Sequence, residues 1–142
     1  MQSIRLVTYL LLCLLLVSCD YCTRYQEVHV TIAIADSLDQ NEHTLYDDTA
    51  ALQQAIHTLD NPFGRLFAHN QLGKAHYYLG RHLSLNDQIT QAAEHYIAAD
   101  RAQIDDPIYR GRIYSCLAHI ANQNESDSLA LIFFLRANQA FT

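Results

Sequence analysis

The chain has 142 residues, of which 50% are hydrophobic, and its 15 acidic and 9 basic residues give a formal net charge of −6. This length suits one small domain, and the acidic balance argues against nucleic acid as a partner. With only four glycines and two prolines, the composition favours long helices over many short strands and turns.

The N-terminal residues have the pattern of a secretion signal. Arg5 is followed by an apolar run of twelve residues, Leu6–Val17, which is shorter than the about 20 residues that a membrane-spanning helix needs. The run ends in Leu16-Val17-Ser18-Cys19, where a small residue precedes a cysteine. This ending resembles the lipobox of bacterial lipoproteins, in which that cysteine receives a diacylglycerol and becomes the new N-terminus.

The lipobox resemblance implies a membrane-anchored protein of the bacterial cell envelope. It predicts a signal peptide over residues 1–18, a lipid on Cys19 and a short tether over residues 19–27. Without the signal peptide, the chain has 8 basic and 15 acidic residues, which gives a net charge near −7. The inner and outer membranes both stay open as the location. An ordinary cleaved signal, with Cys19 as a plain thiol, is the alternative.

The remaining cysteines outside the signal peptide are Cys22 and Cys116. An oxidising envelope permits a disulfide between them, whereas the helical surroundings of Cys116 favour a buried core thiol. Cys19 and Cys22 have the spacing of a redox or metal-binding pair, but no second pair accompanies them. We predict no metal site and no cofactor.

A first helix hairpin is predicted over residues 28–59. Val28–Leu38 fits both a strand and a helix face, and we choose helix because a lone strand would have no partner in the chain. Thr44 and Asp47 have the spacing of an N-terminal capping pair. Behind them, residues recur at steps of four and three, as in an amphipathic helix: Leu45, Thr49, Leu52, Ile56 and Leu59.

The second hairpin is predicted over residues 62–104. Asn61 can cap and Pro62 can open a long helix that reaches about Ser84, since proline suits the first helical turn. After a short turn, Ile89–Ile104 is predicted as the second helix of this pair. Its alanines leave a small-residue face for close packing.

The third hairpin, predicted over residues 107–141, echoes the second. Asp105-Asp106-Pro107 lies 45 residues after Asp60-Asn61-Pro62. The second helices instead match at a shorter offset, through three pairs of positions: Ala92 and Ala130, Tyr96 and Phe134, Ala99 and Ala137. The two offsets differ by seven residues, which is nearly two helical turns. We therefore predict a seven-residue insert in the first helix of the second hairpin.

The third hairpin resembles a tetratricopeptide repeat, a helix-turn-helix unit of about 34 residues with a W-x2-L-G-x2-Y pattern followed by A-x3-F. Tyr114-Ser115-Cys116-Leu117-Ala118 occupies the first pattern with Tyr for Trp and Ala for Gly, and Ala130 and Phe134 occupy the second. The chain is thus similar to tetratricopeptide lipoproteins of the Bacteroidetes cell envelope. The resemblance implies an all-α fold in which antiparallel hairpins stack as a short solenoid over residues 28–142.

Repeats of this family bind partner peptides on their concave side, which the first helix of each unit lines. If that applies here, basic and amide groups at helical spacing hold a carboxylate or the backbone of an extended peptide. The predicted groove residues lie in two stripes: Asn70, Lys74, Tyr77 and Arg81 in one, and Arg112, Ser115, His119 and Asn122 in the other. A plain solvated face is the alternative.

Catalysis is not predicted. His69 and His76 share a helix face, but no third ligand or orienting carboxylate for zinc is visible in the sequence. Each histidine is expected at a helix interface or in water. No nucleophile stands beside an identifiable base, and no glycine-rich phosphate loop occurs.

The predicted function is that of a lipid-anchored protein-interaction scaffold. The alternative is the N-terminal sensor fragment of a membrane-associated regulator, and an envelope enzyme or metal binder is a third class. The last helix carries Phe133, Phe134 and Phe141 with no polar helix after it, although terminal repeats normally need one. Either the chain is part of a longer protein, or a partner covers this surface, and a second copy of the chain is one such partner.

Overall fold

The structure, a computed structural model, describes residues 2–39 and 46–142, with the backbone alone over 2–20. These residues form seven α-helices and no strand, which confirms the predicted all-α class. The helices are α1 (Gln2–Asp39), α2 (Thr49–Leu59), α3 (Pro62–Phe67), α4 (His69–Leu85), α5 (Ile89–Arg101), α6 (Pro107–Gln123) and α7 (Asp127–Phe141).

The first helix, α1, is unbroken over 38 residues. It confirms the helical choice for Val28–Leu38, because Val28, Ile32 and Ala35 form one buried face at helical spacing. Residues 19–27, predicted as a tether, are also helical, since no glycine or proline interrupts them. In the described part of the chain, no helix combines the length and the hydrophobicity needed to cross a membrane.

Helix α2 begins at Thr49 and is capped by Asp48, whose side chain accepts a hydrogen bond from the Ala51 backbone N–H at 2.9 Å. The predicted cap, Thr44, and the predicted helical residue Leu45 lie outside the described residues. The later part of the predicted helix is correct, and its apolar side is buried against α1 and α4.

The single long helix predicted from Pro62 to Ser84 is wrong, because the chain breaks at Ala68 into α3 and α4. Asn61 caps α3 as predicted, and its Oδ1 accepts from the Gly64 N–H at 2.9 Å. Gly64 is buried against the end of α2, where a Cβ atom would lie 2.2 Å from the Leu59 carbonyl oxygen. The close approach of α3 to α2 is a tertiary contact, and the local sequence pattern did not show it.

The hairpin α6/α7 repeats the hairpin α4/α5. Equivalent residues are separated in sequence by the same number of positions as Ala92 and Ala130. Helices α4 and α6 each have 17 residues, and the starts of α4 and α5, at His69 and Ile89, correspond to the starts of α6 and α7. The turn inside each hairpin holds a residue with positive φ at the same position, 59° at Asp87 and 55° at Glu125. The predicted seven-residue insert is therefore present. It consists of residues 62–68, which precede α4, and does not lie within that helix.

Small residues let the paired helices approach each other, as predicted. Ala92 on α5 and Ala130 on α7 are both buried. At Gly80 on α4, a Cβ atom would lie only 3.0 Å from the Tyr96 ring of α5. The core extends from α1 to α6, and its largest fully buried side chains are Tyr78, Tyr96, Leu52, Leu59, Ile104 and Ile113.

Candidate functional site

Six of the eight predicted groove residues occupy equivalent positions on α4 and α6. They form three pairs at the offset that relates these two helices: Lys74 and Arg112, Tyr77 and Ser115, Arg81 and His119. The repeat of the helices thus places Lys74 and Arg112, two cationic side chains, at matching positions on neighbouring hairpins. The C-terminal part of α1 packs beside them.

The end of α1 brings two carboxylates to these cations. Asp36 and Asp39 are three residues apart in the helix, so they share one face of it. The buried residues Ile32 and Ala35 hold the end of α1 against the rest of the domain. Both carboxylates therefore have fixed positions relative to α4 and α6.

Asp36 contacts three donors from two helices. Its Oδ1 lies 2.7 Å from the Tyr78 hydroxyl and 2.8 Å from the Tyr109 hydroxyl, while its Oδ2 lies 2.6 Å from Lys74 Nζ. The two hydroxyl oxygens are also 2.7 Å apart. Lys74 Nζ lies 4.4 Å from the centroid of the Tyr109 ring, which adds a cation–π contact. One cation and two phenols thus hold the Asp36 carboxylate.

Asp39 joins the two hairpins through a pair of arginines. Its Oδ1 pairs with Arg81 on α4, and its Oδ2 pairs with Arg112 on α6. The Asp39 side chain is only 6% exposed, whereas both arginines are partly exposed. We call the two carboxylates and their partners the inner cluster: Asp36, Asp39, Lys74, Tyr78, Arg81, Tyr109 and Arg112.

The phenols of the inner cluster stay protonated at neutral pH and can donate. Burial is the main cause that raises the pKa of Tyr109 to about 12. Burial, followed by the hydrogen bonds to Tyr109 and Asp36, raises the pKa of Tyr78 far above its usual value. Because three cations face two carboxylates, the cluster has the composition of a carboxylate-binding surface.

Five predicted groove residues lie outside the inner cluster. Asn70 bonds to the turn before α6, Tyr77 is buried in the core, and Ser115 donates to a backbone carbonyl of its own helix. His119 and Asn122 are exposed. The structure therefore brings together the three cationic members of the predicted stripes and Tyr77. The Tyr77 ring centroid lies 5.5 Å from that of Tyr109 and 6.0 Å from the Arg81 guanidinium.

Sequence reasoning missed four members of the inner cluster: Asp36, Asp39, Tyr78 and Tyr109. A signal for the first of these was present, because a carboxylate within the packed helix Val28–Leu38 needs a partner when that helix is buried. Asp39 directly follows this predicted helix. The partners themselves could not be found from spacing, since Arg112 follows Asp39 by 73 residues.

A second polar contact joins α4 to α5. The Nδ1 atoms of His76 and His95 are 2.9 Å apart, so one ring donates to the other. Burial, and then the neighbouring His95, lowers the pKa of His76 to about 4, and burial also lowers the pKa of His95. His69 pairs instead with exposed Asp105 at 3.2 Å. Among the described residues, no group of three or more His, Cys, Asp or Glu is placed to hold a metal ion.

Cys22 and Cys116 are both free thiols in the structure. Cys22 is exposed on α1, whereas Cys116 packs against the core from α6. Burial raises the pKa of the Cys116 thiol, which lowers its reactivity at neutral pH. The arrangement agrees with the core-thiol interpretation of Cys116.

Comparisons with known proteins assign no family to this chain. No protein-family model, curated protein or solved structure matches it. The lipobox and tetratricopeptide resemblances stay predictions from the residues that carry them.

Proposed function

We propose that this protein is a lipid-anchored scaffold of the bacterial cell envelope that binds another protein through stacked, tetratricopeptide-like hairpins. The repeat of the helix pair supports this proposal, as does the recurrence of Gly80 and Tyr96 as Ala118 and Phe134. Stacked repeats of this kind present extended surfaces to partners. The proposed function is binding and not catalysis.

The observation that carries the proposal is the exposed apolar surface of α7. While Ala130 and Ala137 are buried, six large apolar side chains of this helix are 43% to 60% exposed. We call them the α7 face: Leu129, Leu131, Ile132, Phe134, Leu135 and Phe141. Exposed apolar surfaces of this kind are typical of sites that bind proteins or membranes, and we assign a protein partner to this one.

The expected partner presents an amphipathic helix to the α7 face. The preceding hairpin shows how such a helix would pack, because α6 packs against α5 in the same stack. A helix laid against Phe134, the equivalent of buried Tyr96, would repeat that contact through apolar anchors one turn apart.

The inner cluster supports a second candidate site. Its cations and phenols already hold two carboxylates of a helix, so an acidic segment of a partner matches the same chemistry. Binding there requires displacement of the end of α1, whereas the α7 face is open. We therefore place the main partner site on α7.

Site-specific crosslinking in intact cells tests the partner site. A photo-reactive amino acid at Leu135 is expected to capture one protein, and Leu131→Glu is expected to abolish that crosslink. The same probe at exposed Asn122 reports on the predicted groove, and exposed Gln53 on α2 is the control position. A crosslink from Asn122 alone would place the partner site at the predicted groove instead of on α7. No crosslink from either position would overturn the proposal.

Fatty-acid labelling tests the anchor. Cys19→Ala is expected to abolish incorporation of a labelled fatty acid and to release the protein from the membrane fraction. Cys22→Ala, three residues away, is the matched control and is expected to keep both. Equal labelling of the two variants would refute lipidation of Cys19. Density separation of the membranes would then show which one holds the wild-type protein.

A further inference from the structure

The short helix α3 exposes three large apolar side chains, Phe63 at 57%, Leu66 at 67% and Phe67 at 64%. The rings of Phe63 and Phe67 contact each other, with centroids 4.6 Å apart. Phe63 also meets the edge of Tyr21 on α1, at a centroid distance of 5.6 Å. We call these four residues the α3 patch.

The α3 patch lies beside the part of α1 where membrane attachment is predicted. Tyr21 is two residues after Cys19 in the same helix, so the two positions are only about 3 Å apart along its axis. The apolar run Leu6–Val17 precedes them in that helix. A lipid on Cys19 would therefore hold the bilayer surface close to Tyr21 on α1.

We propose that the α3 patch inserts into the headgroup region of the bilayer and sets the orientation of the domain. This inference rests on the proposed membrane anchor and adds a second contact to it. Aromatic and aliphatic side chains beside a polar face settle roughly 5–10 Å into the boundary between headgroups and acyl chains. Arg65 borders the patch with a side chain 66% exposed, and its guanidinium pairs with Asp60 at 2.7 Å.

The small size of the α3 patch favours a lipid surface over a protein partner. A stable protein interface uses about 20–30 residues on each side. A bilayer needs no matching surface, so a few apolar side chains on a six-residue helix are enough when an anchor already holds the chain nearby.

Tryptophan fluorescence tests the proposal, because the sequence contains no tryptophan. Mature, lipidated protein carrying Phe67→Trp is reconstituted into vesicles of phosphatidylcholine and phosphatidylglycerol, with and without bromine near the headgroup end of the acyl chains. Leu85→Trp is the matched control. Leu85 is 67% exposed and lies at the far end of α4, about 24 Å along that helix from its first residue.

The expected result is several-fold stronger quenching by brominated lipid at position 67 than at position 85, with a blue-shifted emission at 67. Weak and equal quenching in protein that floats with the vesicles would overturn the patch and leave the anchor intact. Protein that does not float would overturn both. A blue shift at position 67 without quenching would show that a second copy covers the patch, which also contradicts the proposal.

Discussion

The hairpins α4/α5 and α6/α7 have the same plan but lie in different surroundings. In the first, Tyr96 is only 2% exposed beside Gly80. In the second, the equivalent Phe134 is 43% exposed beside Ala118. Helix α6 packs over α5, whereas the apolar surface of α7 is exposed. The same local pattern thus builds core in one hairpin and an exposed apolar surface in the other, and the neighbouring helix makes the difference.

The two hairpins also differ in the contact between their helices. His76 and His95 meet in the first hairpin, and the equivalent Tyr114 and Phe133 stack in the second with ring centroids 6.4 Å apart. Of these two equivalent contacts, only the histidine pair can be weakened by protonation as the pH falls.

Truncation of the equivalent aromatic residues should show the largest difference. Tyr96→Ala is expected to lower the free energy of unfolding by about 3–5 kcal/mol, because it leaves a cavity in the core. Phe134→Ala is expected to cost less than about 1 kcal/mol, because a partly exposed ring fills no core space. Urea unfolding of both variants measures the difference. Equal losses would mean that the α7 face is buried in solution.

Acidification should destabilise the first hairpin. The pKa of His76 in the folded protein is about 4, below the unfolded value of 6.5, so its contribution to stability is complete above 6.5 and is lost as pH falls toward 4. The loss is at most about 3 kcal/mol. The variant with His76→Tyr and His95→Phe copies the equivalent pair of the second hairpin and should remove this part of the pH dependence. If the melting temperature of this variant depended on pH as steeply as that of the wild type, the assignment to the histidine pair would be contradicted.

Asp39 tests how firmly α1 is joined to both hairpins. Asp39→Asn is expected to destabilise the protein by about 2 kcal/mol, because Arg81 and Arg112 lose the carboxylate between them. Exposed Glu27 lies on the same helix, and Glu27→Gln is the control with an expected effect near zero. Denaturant unfolding that gives the same stability for both variants would exclude a structural role for the arginine pair.

Alanine at two equivalent glycines should give the smallest difference. At Gly73 a Cβ atom would lie 2.4 Å from buried Ile104, and at Gly111 it would lie 2.4 Å from the exposed Phe141 ring. Since Phe141 can move into solvent, the helix propensity of alanine should make Gly111→Ala neutral or slightly stabilising. Gly73→Ala should be destabilising by about 1 kcal/mol, as a thermal melt can measure. If the effects were reversed, the second hairpin would be the more tightly packed one.

Much of this architecture follows from patterns within one or two helical turns. Asn61 with Pro62 and Asp106 with Pro107 start helices through capping, and the alternation of small and aromatic residues in α5 and α7 sets the sides on which they pack. The cationic groove residues were also visible as a stripe at helical spacing. These features depend on neighbours in sequence, so the sequence alone determined them.

Other features depend on residues far apart in the chain. The chain breaks at Ala68, where α3 packs on the end of α2, and Asp39 meets Arg112 through side chains that reach from α1 to α6. The exposure of the α7 face likewise depends on which helix packs where. Helical periodicity states which side of a helix is apolar but not which partner covers it, so the tertiary structure alone decided these contacts.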